Sequence, residues 1–470
     1  MLDSIRSAAF VRAITGVFTV DHPPFTIRLC QNHSPFTIHV FTLHVFTLHH
    51  SLFTIHTSSK TILPMKAVQY SKNIPKYLMT RFLGRSFPGI YTGTLSMLRL
   101  LDIEPQRLPT VEWVRVRTIA SGICGSDLAT ICAKGSAYFS PLISTPFVLG
   151  HETVGEVIEI GSDVTECRAG DRVVIEPALG CRVRGIDPVC PNCGAGNYAH
   201  CEKVTEGTIS PGIQTGYCRD TGGGWSENFV AHESQIIPVP DELSDDDAVV
   251  IEPFSCSLHA ALEGRPSDDQ TAVVVGCGAI GLLVIASLRG IGCQCRILAV
   301  ARHPHQQEMA RKLGADEFID PAKGLKDELC RTFGTKLYKP EIGKDTSLGG
   351  GADVTFDCVA SDSSIDDSLR FTKPKGRVIL VGMPSIPKGI DWTAIWYRAL
   401  KVEGVYAYGM ENHEGETIRT FDLAIRLLKE GRVDLSGIVG AKFPLAQYRE
   451  AIRSALSTGK SKAAKTVLTS

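Results

Sequence analysis

The sequence carries no excess of charge: 49 lysines and arginines stand against 50 aspartates and glutamates, a formal net charge of −1. A nucleic-acid-binding surface needs a basic surplus, so this balance gives no electrostatic case for one. Also missing is any apolar run long enough to cross a bilayer. Neither a nucleic acid nor a membrane is therefore expected as a partner. What the chain has is length and sulfur. Its 470 residues favour more than one domain, and a hydrophobic content of 43% suits a globular core. Its cysteines number 15, an odd count, and Cys277, Cys293, Cys295 and Cys358 sit in apolar runs. That usage reads as a reducing, cytoplasmic setting with free thiols and bound metal, not as a secreted disulfide framework.

The start of the chain differs from the rest. A short unit recurs as Phe25-Thr-Ile-Arg28, Phe36-Thr-Ile-His39, Phe41-Thr-Leu-His44, Phe46-Thr-Leu-His49 and Phe53-Thr-Ile-His56. Half of the 14 histidines precede Lys60. Residues 1–64 are read as a low-complexity, disordered extension, with a histidine-rich metal tract as the competing reading. A third reading makes Met1 to Phe18 an organelle presequence carrying Arg6 and Arg12, against which Asp3 counts. Met65-Lys66-Ala67-Val68 looks like the start of a first strand.

An apolar, β-branched run from Thr271 ends in Gly276-x-Gly278-x-x-Gly281, and a helix-like stretch follows from Leu282 to Leu288. A glycine fingerprint between a strand and a helix is the context a dinucleotide needs: the glycines allow the turn, the approach of backbone N–H groups to the pyrophosphate and close helix packing. The diphosphate would sit at the helix N-terminus, beside Ala279 and Ile280. The next strand is predicted at Arg296 to Val300. NAD-binding units place a carboxylate at its end. Here that end reads Ala301-Arg302-His303, so NADP is favoured over NAD, with Arg302 meeting the 2′-phosphate. Further strands at Ala352 to Cys358 and Gly376 to Gly382 alternate with helical patterns at Gln306 to Leu313 and Ser364 to Phe371, which argues for a doubly wound parallel sheet.

Two groups of metal-ligand residues precede this sheet. The dispersed one comprises Cys124, in Gly122-Ile-Cys-Gly-Ser-Asp127, then His151 and Glu152 after Gly150, and Glu252 before Pro253. A thiolate, an imidazole and carboxylates make a plausible zinc set that leaves a position open for water or substrate. The compact one is Cys190, Cys193 and Cys201, spaced as in a structural zinc lobe. Its fourth ligand is either Cys181 or Asp187. His259 and Cys256 are expected to pack, His200 to be exposed and His232 to be structural.

With these motifs in order, the chain resembles the zinc-containing medium-chain dehydrogenase/reductases, the group of alcohol, polyol and threonine dehydrogenases, from about Met65 onward. Gly170-Asp171-Arg172-Val173 belongs to the same set of marks. The resemblance implies a mixed architecture, α/β and β: a GroES-like β-barrel catalytic domain over residues 65–252, a Rossmann domain over 253–400, and a C-terminal return to the catalytic domain over 401–470, with helices at Asp422 to Gly431 and Tyr448 to Leu456. By position, Cys124 and His151 match catalytic zinc ligands, Glu152 the carboxylate beside them, and Glu252 an acid that binds zinc directly or through water. Ser126 matches the hydroxyl that relays the substrate proton, and Asp127 a residue supporting the ligands. Hydride transfer between an alcohol-type or aldehyde-type small molecule and NAD(P), in a homodimer or homotetramer, is the implied activity. The competing readings are a zinc-free quinone or enoyl reductase relative and a catalytically silent cofactor-binding protein. Two departures stand out. Asp187 occupies the place of the first of four lobe cysteines in most relatives. The segment between Tyr70 and Gly122, basic at Lys72, Lys76, Arg81 and Arg85, is longer than a minimal member needs.

Overall fold

The computed structural model describes residues 63–470. The repeats and the presequence reading lie outside the described residues. Strand β1 (Met65–Tyr70) is followed by helix α1 (Ile74–Leu83) and by β2 (Leu98–Ile103). The strands β3 (Trp113–Gly122), β4 (Phe147–Val148), β5 (Thr153–Ile160), β6 (Arg172–Ile175), β7 (Asn228–His232) and β8 (Ile236–Pro238) complete the first half, with helix α2 (Gly125–Ile131) directly after β3. β2, β1 and β4 form one small antiparallel sheet, and β3, β5, β6 and β8 are consecutive neighbours in a larger one, where β7 pairs with β3. The interior faces of this larger sheet carry Val114, Val116, Val157, Val173 and Phe229, which form their own core cluster.

The second half begins with helix α3 (Ile251–Glu263). It continues through β9 (Thr271–Val275), α4 (Ala279–Gly290), β10 (Arg296–Val300), α5 (Pro304–Lys312), β11 (Glu317–Ile319), α6 (Leu325–Thr332) and a small hairpin of β12 (Lys336–Tyr338) and β13 (Thr346–Leu348). Then come β14 (Ala352–Asp357), α7 (Asp362–Phe371), β15 (Thr372–Leu380) and β16 (Lys401–Gly404). These strands make a six-stranded parallel sheet in the order β11-β10-β9-β14-β15-β16. Alternate residues leave a strand on opposite faces, and the core follows that rule. Ala272, Val274, Ile297 and Ala299 join the α3 and α4 side, whereas Val273, Leu298 and Val300 join Leu329 and Cys330 of α6. The parallel sheet includes Lys401–Gly404, so it runs past the boundary expected at residue 400.

The hairpin β17 (Met410–His413) and β18 (Glu416–Arg419), helix α8 (Thr420–Lys429), strand β19 (Val439–Pro444), helix α9 (Tyr448–Leu456) and strand β20 (Lys465–Thr469) finish the chain. β20 pairs antiparallel with β3, Val467 opposite Gly122, so the last strand lies in the sheet of the first half. Among the described residues, no helix is long and apolar enough to cross a membrane. The long segment after Tyr70 is ordered around α1. Asn73 caps the helix by accepting from the Lys76 N–H at 3.1 Å, Tyr77 packs against the core, and the Arg81 guanidinium donates to the Ala133 carbonyl at 3.0 Å.

Candidate active site

β3 ends at Gly122 and the chain turns at once into α2, with Cys124 as its N-cap. A side chain at residue 122 is excluded, since a Cβ there would stand 2.0 Å from a carboxylate oxygen of Glu152. The Cys124 N–H donates to Asp127 Oδ2 at 2.9 Å. Asp127, fully buried, sets its other oxygen 3.5 Å from His151 Nδ1. The other ring nitrogen, Nε2, lies 3.4 Å from Ser126 Oγ. The outcome is convergence: the sulfur of Cys124, a ring nitrogen of His151 and a carboxylate oxygen of Glu152 all lie within 4.8 Å of one another. Glu252, buried in the first turn of α3, stands outside that tight group, and the Cys256 thiol donates to its Oε1 at 3.6 Å. Cys256 was expected only to pack; one helical turn after Glu252, it faces the same carboxylate instead.

Two partners of the site had no local signal in the sequence. Lys465 of β20 is ion-paired with Glu152, and both side chains are buried. Tyr217, also buried, places its hydroxyl 3.1 Å from Thr130 Oγ1 and its ring 6.1 Å from that of His151. Burial opposes charge on the His151 ring, but Asp127, Cys124 and Glu252 outweigh it and hold its pKa well above the ordinary value. Lys465 behaves alike: burial opposes its charge, and Glu152 and Cys124 raise its pKa. Burial pushes the Glu252 carboxyl up to about 7 and lifts that of Asp127 as well. A thiol, an imidazole and two carboxyls enclosed together hold more potential negative charge than one lysine offsets. Their sulfur, nitrogen and oxygen donors suit zinc.

The cysteine lobe closes on four sulfurs. Those of Cys181, Cys190, Cys193 and Cys201 lie within 4.8 Å of one another, and all four are free thiols. The sulfurs of Cys181 and Cys201 are 3.6 Å apart, close to the edge of about 3.8 Å for a tetrahedron with Zn–S bonds of about 2.3 Å. Backbone N–H groups of Cys181, Cys190 and Lys203 donate to the sulfurs of Cys193, Cys181 and Cys201. The choice between Cys181 and Asp187 thus falls to Cys181. A turn in which the Ile186 N–H bonds the Cys181 carbonyl folds that residue back under the lobe, while Asp187 is exposed and outside the group. Arg184, fully buried, holds the lobe by donating to the carbonyls of Leu179, Glu206 and Gly212.

Across the carboxyl end of the parallel sheet lies a cavity of about 450 Å³, lined among others by Gly276, Gly278, Arg302, His303, Gln306 and Ser361. The N-terminus of α4 opens beside it, with the unsatisfied N–H groups and positive dipole end that favour a phosphate. A Cβ on Gly281 would lie 2.0 Å from the Gly276 carbonyl oxygen, so the turn and the helix can meet only without one. Of the residues expected to bind cofactor, Ala279 and Ile280 form the half-buried first turn of α4. Ala301 is fully buried, its N–H bonded to the Ile319 carbonyl, and like Ala279 and Ile280 it is not among the residues lining the cavity. Arg302 is exposed at the rim with no ion pair or hydrogen bond among the described residues. Asp367 enters from the opposite wall, and burial raises its pKa.

Residues 110–241 match the profile of the alcohol dehydrogenase GroES-like domain, and residues 279–430 that of the zinc-binding dehydrogenases. The chain belongs to the zinc-type medium-chain dehydrogenase/reductases. As a member of this zinc- and nicotinamide-dependent family it is an oxidoreductase, and the expected pairing of a GroES-like domain with a Rossmann domain is its fold. Among its relatives, L-idonate 5-dehydrogenase of Vitis vinifera is 27% identical over 353 residues, covering 74% of this chain and 86% of the relative. Sorbitol dehydrogenase of Arabidopsis thaliana is 29% identical over 353 residues, covering 74% and 87%. The crystal structure of 2R,3R-butanediol dehydrogenase from Bacillus subtilis superposes with a TM-score of 0.63 at 23% identity, covering 86% of this chain and 99% of that one, a likeness of fold.

Proposed function

We propose that this dehydrogenase transfers hydride between a small alcohol or polyol, or the matching aldehyde or ketone, and NADP, at a zinc ion held by Cys124, His151 and Glu152. The observation that carries the reading is the convergence of those three donors, Cys124 from the N-cap of α2 and His151 and Glu152 from the β4–β5 loop, within 4.8 Å. Relatives named for idonate, sorbitol and xylulose support a polyol-type substrate. Zinc at this position supplies Lewis acidity, which makes a hydroxyl bound to it a stronger acid.

The protein's own residues do the rest. Asp127 holds the His151 ring so that Nε2 faces the pocket. Ser126, beside that nitrogen, would accept the hydroxyl proton at Oγ and release its own toward solvent. Lys465 pairs with the buried Glu152 carboxylate and offsets its charge. Glu252 is the nearby acid that approaches directly or through water. The glycine turn and the α4 N-terminus seat the cofactor diphosphate and so orient the nicotinamide toward the substrate's C–H bond. Four cysteines of the lobe hold a second, structural zinc. Arg302, unpaired at the rim where NAD-binding units carry an acid, favours NADP over NAD. Reduced thiols in both clusters fit a cytoplasmic location. The unpaired edge of β16, with Trp392, Trp396 and Tyr397 exposed beside it, supports a homodimer.

One sample tests the reading: metal content, cofactor binding by NADPH fluorescence, and turnover on a panel of alcohols, polyols and aldehydes. Two zinc ions per chain and NADP-dependent turnover are expected. Cys124→Ser should lose one zinc and the turnover while still binding NADPH; wild-type kcat in that variant would sink the assignment.

A further inference from the structure

The segment inserted between β1 and β2 uses its apolar residues the wrong way round for a core helix. On α1, Tyr77 and Thr80 face inward. Ile74, Leu78 and Phe82, spaced by four residues and so stacked on one face, are 65%, 46% and 74% exposed. Beyond the helix, Phe87, 62% exposed, and the exposed Leu95 line a shallow depression of the same segment. Isolated exposed apolar residues are ordinary, but a contiguous stripe marks a contact surface.

The charges around the stripe are of one sign. From Ser71 to Leu101 the sequence holds five lysines and arginines and no aspartate or glutamate, in a chain whose net charge is −1. Among the described residues, Lys72, Lys76, Arg81 and Arg85 form no ion pair. Lys72 donates to Ser140 Oγ at 3.0 Å and Arg81 to the Ala133 carbonyl, contacts that fasten the segment to the residues after α2 and leave its outer face free.

From this juxtaposition of an outward apolar stripe and unpaired cations, we propose that the β1–β2 insertion is a membrane-surface contact, which seats the enzyme on anionic lipid. The aromatic and aliphatic side chains enter the headgroup–acyl boundary and the cations meet lipid phosphates and carboxylates. A lipid surface fits better than a protein partner because one surface of anionic headgroups over an acyl layer satisfies both the cations and the apolar side chains. This revises the expectation of no membrane partner, which addressed only spanning segments.

The test is co-sedimentation of the full-length protein with vesicles of phosphatidylcholine alone, and of phosphatidylcholine mixed with phosphatidylserine. The same is done for two surface variants, Lys76→Glu with Arg85→Glu, and Phe82→Ser with Phe87→Ser. NADPH binding and turnover serve as the check that each is folded. Sedimentation with the anionic vesicles only, weakened by salt and reduced by about tenfold or more in each variant, is expected. The salt titration of the wild type needs no variant to fold. Three results overturn the proposal: no sedimentation of the wild type, variants that sediment like the wild type (which would move the contact elsewhere, residues 1–62 included), or variants that change only the mass seen by light scattering, which would make the stripe an interface between copies.

Discussion

Replacing Lys465 with methionine probes the site from its least obvious side. The two side chains are similar in length, so the change removes the charge and leaves the packing. What remains is Glu152, buried and now without its cation. Removing one partner of a buried ion pair costs about 3–5 kcal/mol, because the surviving charge is left unsolvated. Zinc would take over part of Lys465's role, so the loss should be full in metal-free protein and smaller in the zinc-loaded form. The measurement is thermal unfolding of wild type, Lys465→Met, Glu152→Gln and the double variant, each with and without zinc. Once Glu152 is neutral, Lys465→Met should cost much less, giving a coupling of about 1 kcal/mol or more, at the level seen for residues in direct contact. If the two substitutions add to within about 0.5 kcal/mol, the pair does not hold the site together and the electrostatic account of Glu152 is wrong.

Other consequences can be checked independently. Arg302→Ala should lower kcat/KM for NADPH by about tenfold, the value of one exposed charge-assisted contact, and leave that for NADH unchanged; equal losses with both cofactors would remove Arg302 from 2′-phosphate recognition. Cys193→Ser should cost one zinc per chain and several degrees in thermal midpoint while the remaining zinc supports turnover. Gly281→Ala should abolish NADPH binding, since its Cβ would press on the Gly276 carbonyl. In metal-free protein, Glu252 has its folded pKa raised from 4.5 to about 7. The folded state then binds more protons than the unfolded state between those values, so stability falls as pH rises through that window. Glu252→Gln should flatten that slope, as read from unfolding midpoints across the pH range.

Much of this architecture was legible because its signals are local. The strand from Thr271, the glycine turn and the helix after it are adjacent in sequence, and β10 runs from Arg296 to Val300 as expected. Cys124, His151 and Glu152 were identifiable from motifs, though spacing alone could not bring β3 and the β4–β5 loop together. Partners that act across the chain were not legible. Lys465 lies 313 positions from Glu152, and nothing around it differs from a surface lysine in a strand. Cys181 lies farther from Cys190 along the chain than Asp187 does, and only the fold shows the turn that brings it beneath Cys190. The burial of Ala301 was not legible either, since it follows a strand whose end is still covered. The insertion's basic charge was visible, whereas the outward turn of Ile74, Leu78 and Phe82 depended on which face of α1 met the core.

The strand that carries Lys465 is far along the chain from the residues it meets, yet it borders the sheet of the first half and closes on Glu152. The pocket around Glu152 is therefore a long-range structure: its other residues can be folded locally and the site is still open until β20 docks. A change that undocks β20 from β3 would spare the glycine turn and the parallel sheet, and is expected to strip Glu152 of its cation and weaken metal retention.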